Sequence, residues 1–401
     1  MVLLIFVSAF LIRLVLSPFG SLPIDMGDWT GWSNRLVEVG FSKFYETWSD
    51  YLPGYLYVLW FLGHLKNFLY SLDLQIPLEM IYKFPAIIAD IVLILVSYNI
   101  GKKFFSKKKA LLVATIVAFN PAIFANSSLW GQIDVVNTLF YILTFLFLLQ
   151  KRIMLAGISL AIALLIKPQG VILLPLIFLI IIKEKWKIAD FLKGVAFSSF
   201  IFLGAFIPFS NKLNILQFIF ERYSISLNQY QYTSVNAFNF WAIGQRWWKP
   251  DTQIWSGLPF QYWGMIIFAV FFGLILWNCW LKYKTSTLLG NLFIINFSAA
   301  LIFLNSFIFL TRVHERLLLT PLVFLMLAAI FKKELWIFVA ILSVTYIANL
   351  YFSFVWITQN FRNIFSTNMI NIISSLNVLV LVILLIILLK ERSDIDKSKT
   401  I

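Results

Sequence analysis

The sequence has few charged residues and almost no cysteine or histidine. Only 12% of its 401 residues are charged, whereas a soluble globular protein carries about a quarter. With 61% hydrophobic residues and a mean hydropathy of +0.88, the chain cannot fold as a soluble globule. Its one cysteine, Cys279, excludes an intrachain disulfide framework and a cysteine metal site. The two histidines, His64 and His314, lack a second histidine at ligand spacing, so no metal motif is present.

Acidic residues are also scarce, with 18 Asp and Glu against 32 Lys and Arg and a net charge of +14. An excess of this size is compatible with nucleic-acid binding, but the basic residues form short clusters between apolar runs. That arrangement is typical of loops that face the cytoplasm and anionic lipid. We therefore interpret the charge as a topology signal.

The hydrophobic residues form about twelve segments long enough to cross a membrane, the first at 2–18 and the last at 370–389. The sequence predicts an all-α polytopic membrane protein with about twelve transmembrane helices and an outer loop that carries an interfacial helix. Residues 1–390 are predicted to be one domain, with the first outer loop at 20–81 and a disordered cytoplasmic tail at 391–401. Alternate loops from residue 102 onward are lysine-rich, which places the C-terminus in the cytoplasm.

The apolar stretch at 51–72 conflicts with this topology if it is a single span. One span here would place the lysine cluster at 102–109 outside the cell, against the positive-inside rule. The stretch also contains Pro53, Gly54, His64 and Lys66. We expect it to be interfacial or re-entrant with irregular backbone; a tight hairpin of two spans preserves the same parity.

The polar and aromatic stretch at 24–57 follows the first apolar segment. Trp29, Trp32 and Leu36 recur at helical spacing, which predicts an amphipathic helix lying in the membrane interface with its rings at headgroup level. Asp25 and Asp28 stand at the start of this helix. The two carboxylates are therefore predicted to lie where a lipid headgroup is bound.

With the topology set by lysines, the remaining polar residues fall on the outer side. Polar groups that converge at a membrane boundary indicate a site, because they are costly there unless they bind something. The predicted substrate-binding residues are Asp50, Lys83, Gln132, Asp134, Lys167, Gln169, Asn236, Asn239, Arg312, His314, Glu315 and Arg316. Four tryptophans on the same side are expected to stack on sugar rings or to anchor the interface: Trp29, Trp32, Trp130 and Trp241.

Each candidate has a structural alternative. Asp28 is equally suited to cap the following helix, and Asp50 to form an Asx-turn before Pro53. Lys83 and Lys167 fit snorkelling lysines at span ends, although the proline after Lys167 favours a broken helix that lines a cavity. The four ionisable residues between 312 and 316 fit a self-satisfied cluster that opens a helix.

Several short motifs follow one another in a familiar order: DYLPGYLY, FNPAIFANSSLWGQID, IKPQGVILLP, SVNAFNFW and RVHERLLLTPL. In this order, from about Leu3 to about Ile330, the chain resembles bacterial membrane glycosyltransferases of the GT-C fold class, which are related to polyprenyl-phosphate-sugar-dependent mannosyl- and glucosyltransferases. The resemblance implies that an acid of the first outer loop is the catalytic base, which maps onto Asp25. It also implies that Lys167, Arg312, His314 and Arg316 hold the lipid phosphate. The second acid, Asp28, leaves the choice of base open.

The expected reaction is transfer of a mannose- or glucose-type hexose from a polyprenyl-phosphate donor to an acceptor hydroxyl at the outer face of the cytoplasmic membrane. The acceptor is a lipid, glycan or protein, and no nucleic acid is involved. A single acidic base without a protein nucleophile predicts inversion at the anomeric carbon. The sequence identifies no particular cofactor, and Asp25 and Asp28 leave Mg²⁺ or Mn²⁺ open. The alternative function is a lipid or polyprenyl-linked-saccharide transporter without chemistry, for which repeat symmetry between the halves is expected.

Overall fold

The computed structural model describes residues 1–210, 214–284 and 287–391, and these are mostly helical. The predicted tail at 391–401 lies outside the described residues apart from Glu391. The α-helices are α1 Val2–Leu16, α2 Pro23–Val39, α3 Pro53–Ser71, α4 Leu78–Phe104, α5 Lys107–Phe119, α6 Pro121–Phe124, α7 Asp134–Leu149, α8 Ile153–Ile166, α9 Leu174–Lys183, α10 Ile188–Phe206, α11 Ile215–Asn228, α12 Phe260–Lys282, α13 Leu288–Phe309, α14 Leu319–Ala329, α15 Trp336–Thr358 and α16 Thr367–Lys390.

Among the described residues, seven helices are long and apolar enough to cross a membrane, and four further apolar helices are shorter. These helices support a polytopic membrane protein. The predicted number of twelve spans is not confirmed. The orientation of the C-terminus and the side that the site faces stay predictions.

The described chain divides into two compact units. The first contains residues Met1–Leu93, Phe124–Ile172 and Trp186–Gln229, and the second contains Ile94–Ile123, Leu173–Lys185 and Tyr230–Ile401. The single domain at 1–390 stays a prediction.

In the first unit, α2 and α3 pack against each other along an apolar face. Ser33 Oγ donates a hydrogen bond to the Leu59 carbonyl at 2.8 Å, and a Cβ placed on Gly63 would lie 2.5 Å from Ser33 Oγ. Glycine is therefore needed for the close approach of the two helices.

Trp29 packs against Tyr55 of α3, whereas Trp32 packs against Trp48 and Tyr51 before α3. Only 2% and 7% of their surface is exposed. The prediction that these rings contact lipid headgroups is wrong, because both are buried within the protein, while the depth of α2 in the membrane stays a prediction.

The stretch at 51–72 forms one regular helix. Pro53 occupies the first turn of α3, where its missing N–H costs nothing, and the helix continues unbroken to Ser71. The predicted irregular backbone and the alternative of a two-span hairpin are therefore wrong. Helix α3 is not among the seven candidate spans, and an interfacial location stays a prediction.

The chain between α6 and α7 is a π-helical segment, Ala125–Trp130, followed by Gly131 at φ 91°. This left-handed conformation favours glycine. Such single π turns often occur at functional sites. The segment places Trp130 and Gln132 directly before α7.

The second unit contains α12 to α16 and the long connection after α11. A two-stranded antiparallel hairpin, β1 Ile254–Trp255 and β2 Leu258–Pro259, precedes α12. Helices α13 and α14 are buried almost throughout. A short 3₁₀ turn, Glu315–Leu318, leads into α14 and carries part of the predicted cationic cluster.

Candidate active site

Asp25 lies in the first turn of α2 and is half-buried. Pro23 starts this helix, and a carboxylate in the first turn interacts favourably with the helix dipole. Its Oδ2 atom accepts hydrogen bonds from Gln132 Nε2 at 2.6 Å and from Trp130 Nε1 at 3.1 Å. Its Oδ1 atom accepts no hydrogen bond from the residues that the structure describes. One oxygen is thus fixed in place and the other is available to a ligand.

Asp28 lies one helical turn further along α2. The helix begins at Pro23 with Leu22 at the cap position, so the interpretation of Asp28 as the N-cap is wrong. Burial raises the pKa of Asp28, and the nearby Asp50 and Asp25 carboxylates raise it further. Asp28 is therefore close enough to Asp25 and Asp50 for their charges to act on it. Whether Asp50 forms an Asx-turn stays open.

Lys167 and Asp134 form an ion pair in the first unit. Lys167 Nζ donates to Asp134 Oδ1 at 2.5 Å, with 13% and 3% of the two side chains exposed. Helix α8 ends at Ile166, and a 3₁₀ segment, Pro168–Leu173, follows Lys167. The predicted break in the helix at Pro168 is therefore confirmed. Asp134 is the first residue of α7, where a carboxylate is again well placed.

Several oxygens near this pair are buried without a hydrogen-bond partner in the described part of the chain. They are Gln132 Oε1, Asp134 Oδ2 and Gln169 Oε1. A buried acceptor without a donor costs about 1–3 kcal/mol. Polar groups with this unused capacity are candidates for ligand contacts.

Lys83 is fully buried, and its ammonium group points at backbone carbonyls. Nζ donates to the carbonyl oxygens of Ser17 and Phe19, both at 2.7 Å, and to those of Leu129 at 2.8 Å and Ser128 at 3.0 Å. The side chain therefore links the end of α1 to the π-helical segment. This geometry favours a structural role. The snorkelling interpretation of Lys83 is wrong, because its side chain is buried. The predicted substrate contact of Lys83 remains untested.

A second buried tie reaches the same segment. Asp90 Oδ2 accepts hydrogen bonds from Arg13 Nε and from Ser127 Oγ, both at 2.6 Å. Arg13 and Asp90 are completely buried. Together with Lys83, this pair holds the turn that carries Trp130, and hence one of the two donors to Asp25.

In the second unit, the predicted cation Arg312 is bound within the protein. Its Nε atom contacts Asp251 Oδ2 at 2.6 Å, and its Nη2 atom donates to Gln261 Oε1 at 3.1 Å. The Arg312 backbone has φ 64°, and its amide donates to the Tyr232 carbonyl at 2.7 Å. These contacts offset the strain of a left-handed residue other than glycine.

The predicted residues that follow Arg312 also contact neighbouring residues of the second unit. His314 pairs with Val235 and Asn236 in isolated bridges and packs edge-on against the Tyr230 ring. Glu315 is buried, and the Arg316 carbonyl accepts from Tyr346 Oη at 3.1 Å. Their roles in binding stay predictions.

The two predicted asparagines also form internal hydrogen bonds. Asn236 Oδ1 accepts from Trp248 Nε1 at 2.8 Å, and Asn239 Nδ2 donates to the Phe307 carbonyl at 3.0 Å. Trp241 is fully buried and donates through Nε1 to the Phe309 carbonyl at 2.8 Å. The interface-anchoring interpretation is therefore wrong for Trp241, and also for Trp130, of which 5% is exposed.

Sequence reasoning missed two residues with marked roles in this geometry: Asp90 and Asp251. Asp90 stands alone in an apolar run, and Arg13 in another. Opposite charges inside membrane segments usually pair, so this signal was available. Asp251 stands in a long connecting loop and gave no such signal.

The described residues contain no group of three or more His, Cys, Asp or Glu side chains arranged to hold a metal ion. Asp25 Oδ2 is moreover surrounded by two N–H donors. Binding of Mg²⁺ or Mn²⁺ by Asp25 and Asp28 stays a prediction.

Residues 75–210 match the family of dolichyl-phosphate-mannose-protein mannosyltransferases. The match supports an enzyme of the glycosyltransferase type with a GT-C architecture. It includes Lys83, Gln132, Asp134, Lys167 and Gln169, but neither Asp25 nor any residue after 210. No curated protein matches the chain.

Proposed function

We propose that this protein transfers a mannose- or glucose-type hexose from a polyprenyl-phosphate donor to an acceptor hydroxyl at the outer face of the cytoplasmic membrane. The observation that carries the proposal is the Asp25 carboxylate, whose Oδ2 is held by Gln132 and Trp130 and whose Oδ1 has no donor among the described residues. The match at 75–210 to a mannosyltransferase family supports the same reaction class.

Asp25 acts as the general base. The acceptor oxygen attacks the anomeric carbon, its proton passes to Asp25 Oδ1, and the bond from the anomeric carbon to the phosphate oxygen breaks. The Gln132 and Trp130 donors keep the carboxylate in one orientation, which lowers the cost of reaching the reactive geometry. Because no protein nucleophile takes part, one displacement inverts the anomeric configuration.

The leaving group is a lipid phosphate whose negative charge grows as the bond breaks. Cationic side chains stabilise that charge when they are already in place. The predicted contacts are Lys167, Arg312, His314 and Arg316. Arg312 and Lys167 are less suited to this role because Asp251 and Asp134 already bind them. No step is assigned to a metal.

The test uses the full chain in nanodiscs. Farnesyl-phosphoryl mannose and glucose are supplied with an extract of cell-envelope lipids and glycans, and mass spectrometry follows the products. We expect a hexose to appear on an acceptor, with farnesyl phosphate released in equal amount.

Saturable donor binding without release of farnesyl phosphate would contradict a transferase and favour the transporter. Release without a glycosylated product would indicate hydrolysis. Inversion is checked by NMR of the product's anomeric proton, and a retained configuration would exclude the single displacement.

A further inference from the structure

One face of α7 lies against the segment that follows Lys167. Asp134, Asn137 and Tyr141 are three and four residues apart, so they share this face. Lys167 contacts Asp134 at one end. At the other end, a Cβ placed on Gly170 would lie 2.6 Å from Tyr141 Oη, so only glycine permits this approach. Gln169 lies between these two contact points in sequence.

The buried polar atoms on the two sides of this contact share one property. Asp134 Oδ2, Asn137 Oδ1 and Gln169 Oε1 have no hydrogen-bond partner in the described part of the chain. The exposed fractions of Asp134 and Asn137 are only 2% and 4%. All three atoms are acceptors, and we call these three residues the acceptor face.

The Asn137 amide has one polar atom in a hydrogen bond and one without a partner among the described residues. Its Nδ2 group donates to Tyr141 Oη at 2.7 Å, while its Oδ1 atom is left without a donor. Likewise, Asp134 uses Oδ1 for Lys167 and leaves Oδ2 unpaired. The acceptor face therefore lacks hydrogen-bond donors from the described residues, and a bound ligand has to supply them.

The requirement for donors distinguishes the phosphate of a sugar-phosphate lipid from its hexose. A phosphate monoanion or diester offers acceptor oxygens and negative charge, which the acceptor face repels. A hexose offers several hydroxyl donors. The charge of Lys167 is already balanced by Asp134, so this position lacks the net positive charge that a phosphate site needs.

We propose that the acceptor face binds the hydroxyl groups of the transferred hexose, with Asn137 as a specificity-determining residue, and that Lys167 orients Asp134 instead of binding the lipid phosphate. The inference rests on the proposed function and refines it. A site built to accept hydrogen bonds rejects a ligand that lacks the donor, because the buried acceptor then stays unpaired.

The experiment combines one substitution in the protein with the removal of one hydroxyl group from the sugar, as in a double-mutant cycle. The affinity of the full chain in nanodiscs is measured for farnesyl-phosphoryl mannose and glucose, for their single-deoxy analogues, and for farnesyl phosphate. The protein variants are wild type, Asn137→Leu and Tyr141→Phe. Tyr141→Phe removes the same internal hydrogen bond as Asn137→Leu but keeps Oδ1, so it controls for local packing.

We expect wild type to bind one deoxy analogue about tenfold more weakly than the parent sugar, the usual effect of one buried hydrogen bond. Asn137→Leu should bind the parent and that analogue equally, and should keep its affinity for farnesyl phosphate. Tyr141→Phe should keep the wild-type discrimination.

Two results would overturn the inference. If wild type binds every deoxy analogue as tightly as the parent, ordered water satisfies the acceptors and no sugar hydroxyl does. If Asn137→Leu weakens farnesyl phosphate as much as the sugars, Asn137 acts only on packing.

The proposed function and this inference fail in different ways. Discrimination among deoxy donors without any hexose transfer would refute the transferase and leave the hexose site standing. Hexose transfer without discrimination would refute the site alone.

Discussion

The two units differ in how they use the polar residues that the sequence marks as a site. In the first unit, Asp25 and Asp134 each have one oxygen held by a neighbour and a second oxygen without a donor from the described residues. In the second unit, Arg312 and Asn239 direct their side chains at internal partners. A conspicuous polar residue is therefore a weak guide to chemistry until its partners are known.

The same comparison separates residues that are proposed to react from residues that hold the reacting side chains in position. Lys83 has the charge expected of a binding residue, yet its ammonium group donates hydrogen bonds to four backbone carbonyls. Asp25 depends on that arrangement, because the π-helical segment that Lys83 holds carries Trp130. The following predictions test whether the division between reacting and holding residues is correct.

The largest effect on folding is expected for Lys83→Met. The substitution leaves four carbonyls without their shared donor, and we expect the free energy of unfolding to fall by about 3–5 kcal/mol. Thermal unfolding in detergent should show a much lower midpoint than wild type. The exposed Lys43→Met is the matched control and should unfold like wild type. A stable Lys83→Met protein with weakened donor binding would make Lys83 a ligand residue.

Arg312→Gln should have a smaller effect on folding. It leaves Asp251, whose side chain is fully buried, without its cationic partner. Because a quarter of Arg312 is exposed, we reduce the cost of a broken buried pair to about 1–3 kcal/mol. Thermal unfolding measures the loss, with the exposed Arg362→Gln as control. Unchanged stability with a higher KM for the donor would instead assign Arg312 to the phosphate.

Gln132→Leu should slow sugar transfer by about 10- to 100-fold while leaving the unfolding midpoint nearly unchanged. The substitution removes the 2.6 Å hydrogen bond to Asp25, and a hydrogen bond to a charged group contributes about 1.5–3 kcal/mol. Trp130→Phe removes the longer 3.1 Å bond and should have a smaller effect. The measurement is kcat at a saturating concentration of the sugar donor. A larger loss for Trp130→Phe than for Gln132→Leu would show that the Trp130 hydrogen bond contributes more to the rate.

Asp28→Asn should have the smallest effect, on stability alone, and it should depend on pH. The folded-state pKa of Asp28 is raised above its ordinary value of 3.8, so folding favours the protonated form. The stability that Asp28 contributes is complete below 3.8 and is lost as the pH rises through the folded-state pKa. The variant should therefore have a higher unfolding midpoint than wild type at pH 7 and no advantage near pH 3.5. An equal difference at both pH values would contradict the raised pKa.

Much of the helical architecture follows from hydrophobicity. The long apolar runs became helices, and the proline after Lys167 ended one, because backbone rules act locally. The tryptophans of α2 were misplaced because their burial depends on α3 and on the segment before it, which the local pattern does not show. A lysine at the start of a span gives no sign that four carbonyls converge on it.

The candidate site was predictable only in part. Carboxylates near the start of a helix are visible in sequence, and so is the match of the motif order to known glycosyltransferases. The hydrogen bonds from Trp130 and Gln132 to Asp25 join residues more than a hundred positions apart. In the sequence Asn137 is an ordinary helix residue, and only the structure shows a buried oxygen to which none of the described residues donates.

The most direct test of the account compares Asp25→Asn with Asp28→Asn in single-turnover sugar transfer with saturating donor. Asparagine keeps an oxygen that accepts the Gln132 hydrogen bond but cannot take a proton. We predict that Asp25→Asn lowers the rate by about 10²- to 10⁴-fold with unchanged donor affinity, and that Asp28→Asn stays near wild type. A rate that survives in Asp25→Asn, or a larger loss in Asp28→Asn, would contradict the assignment of Asp25 as the base.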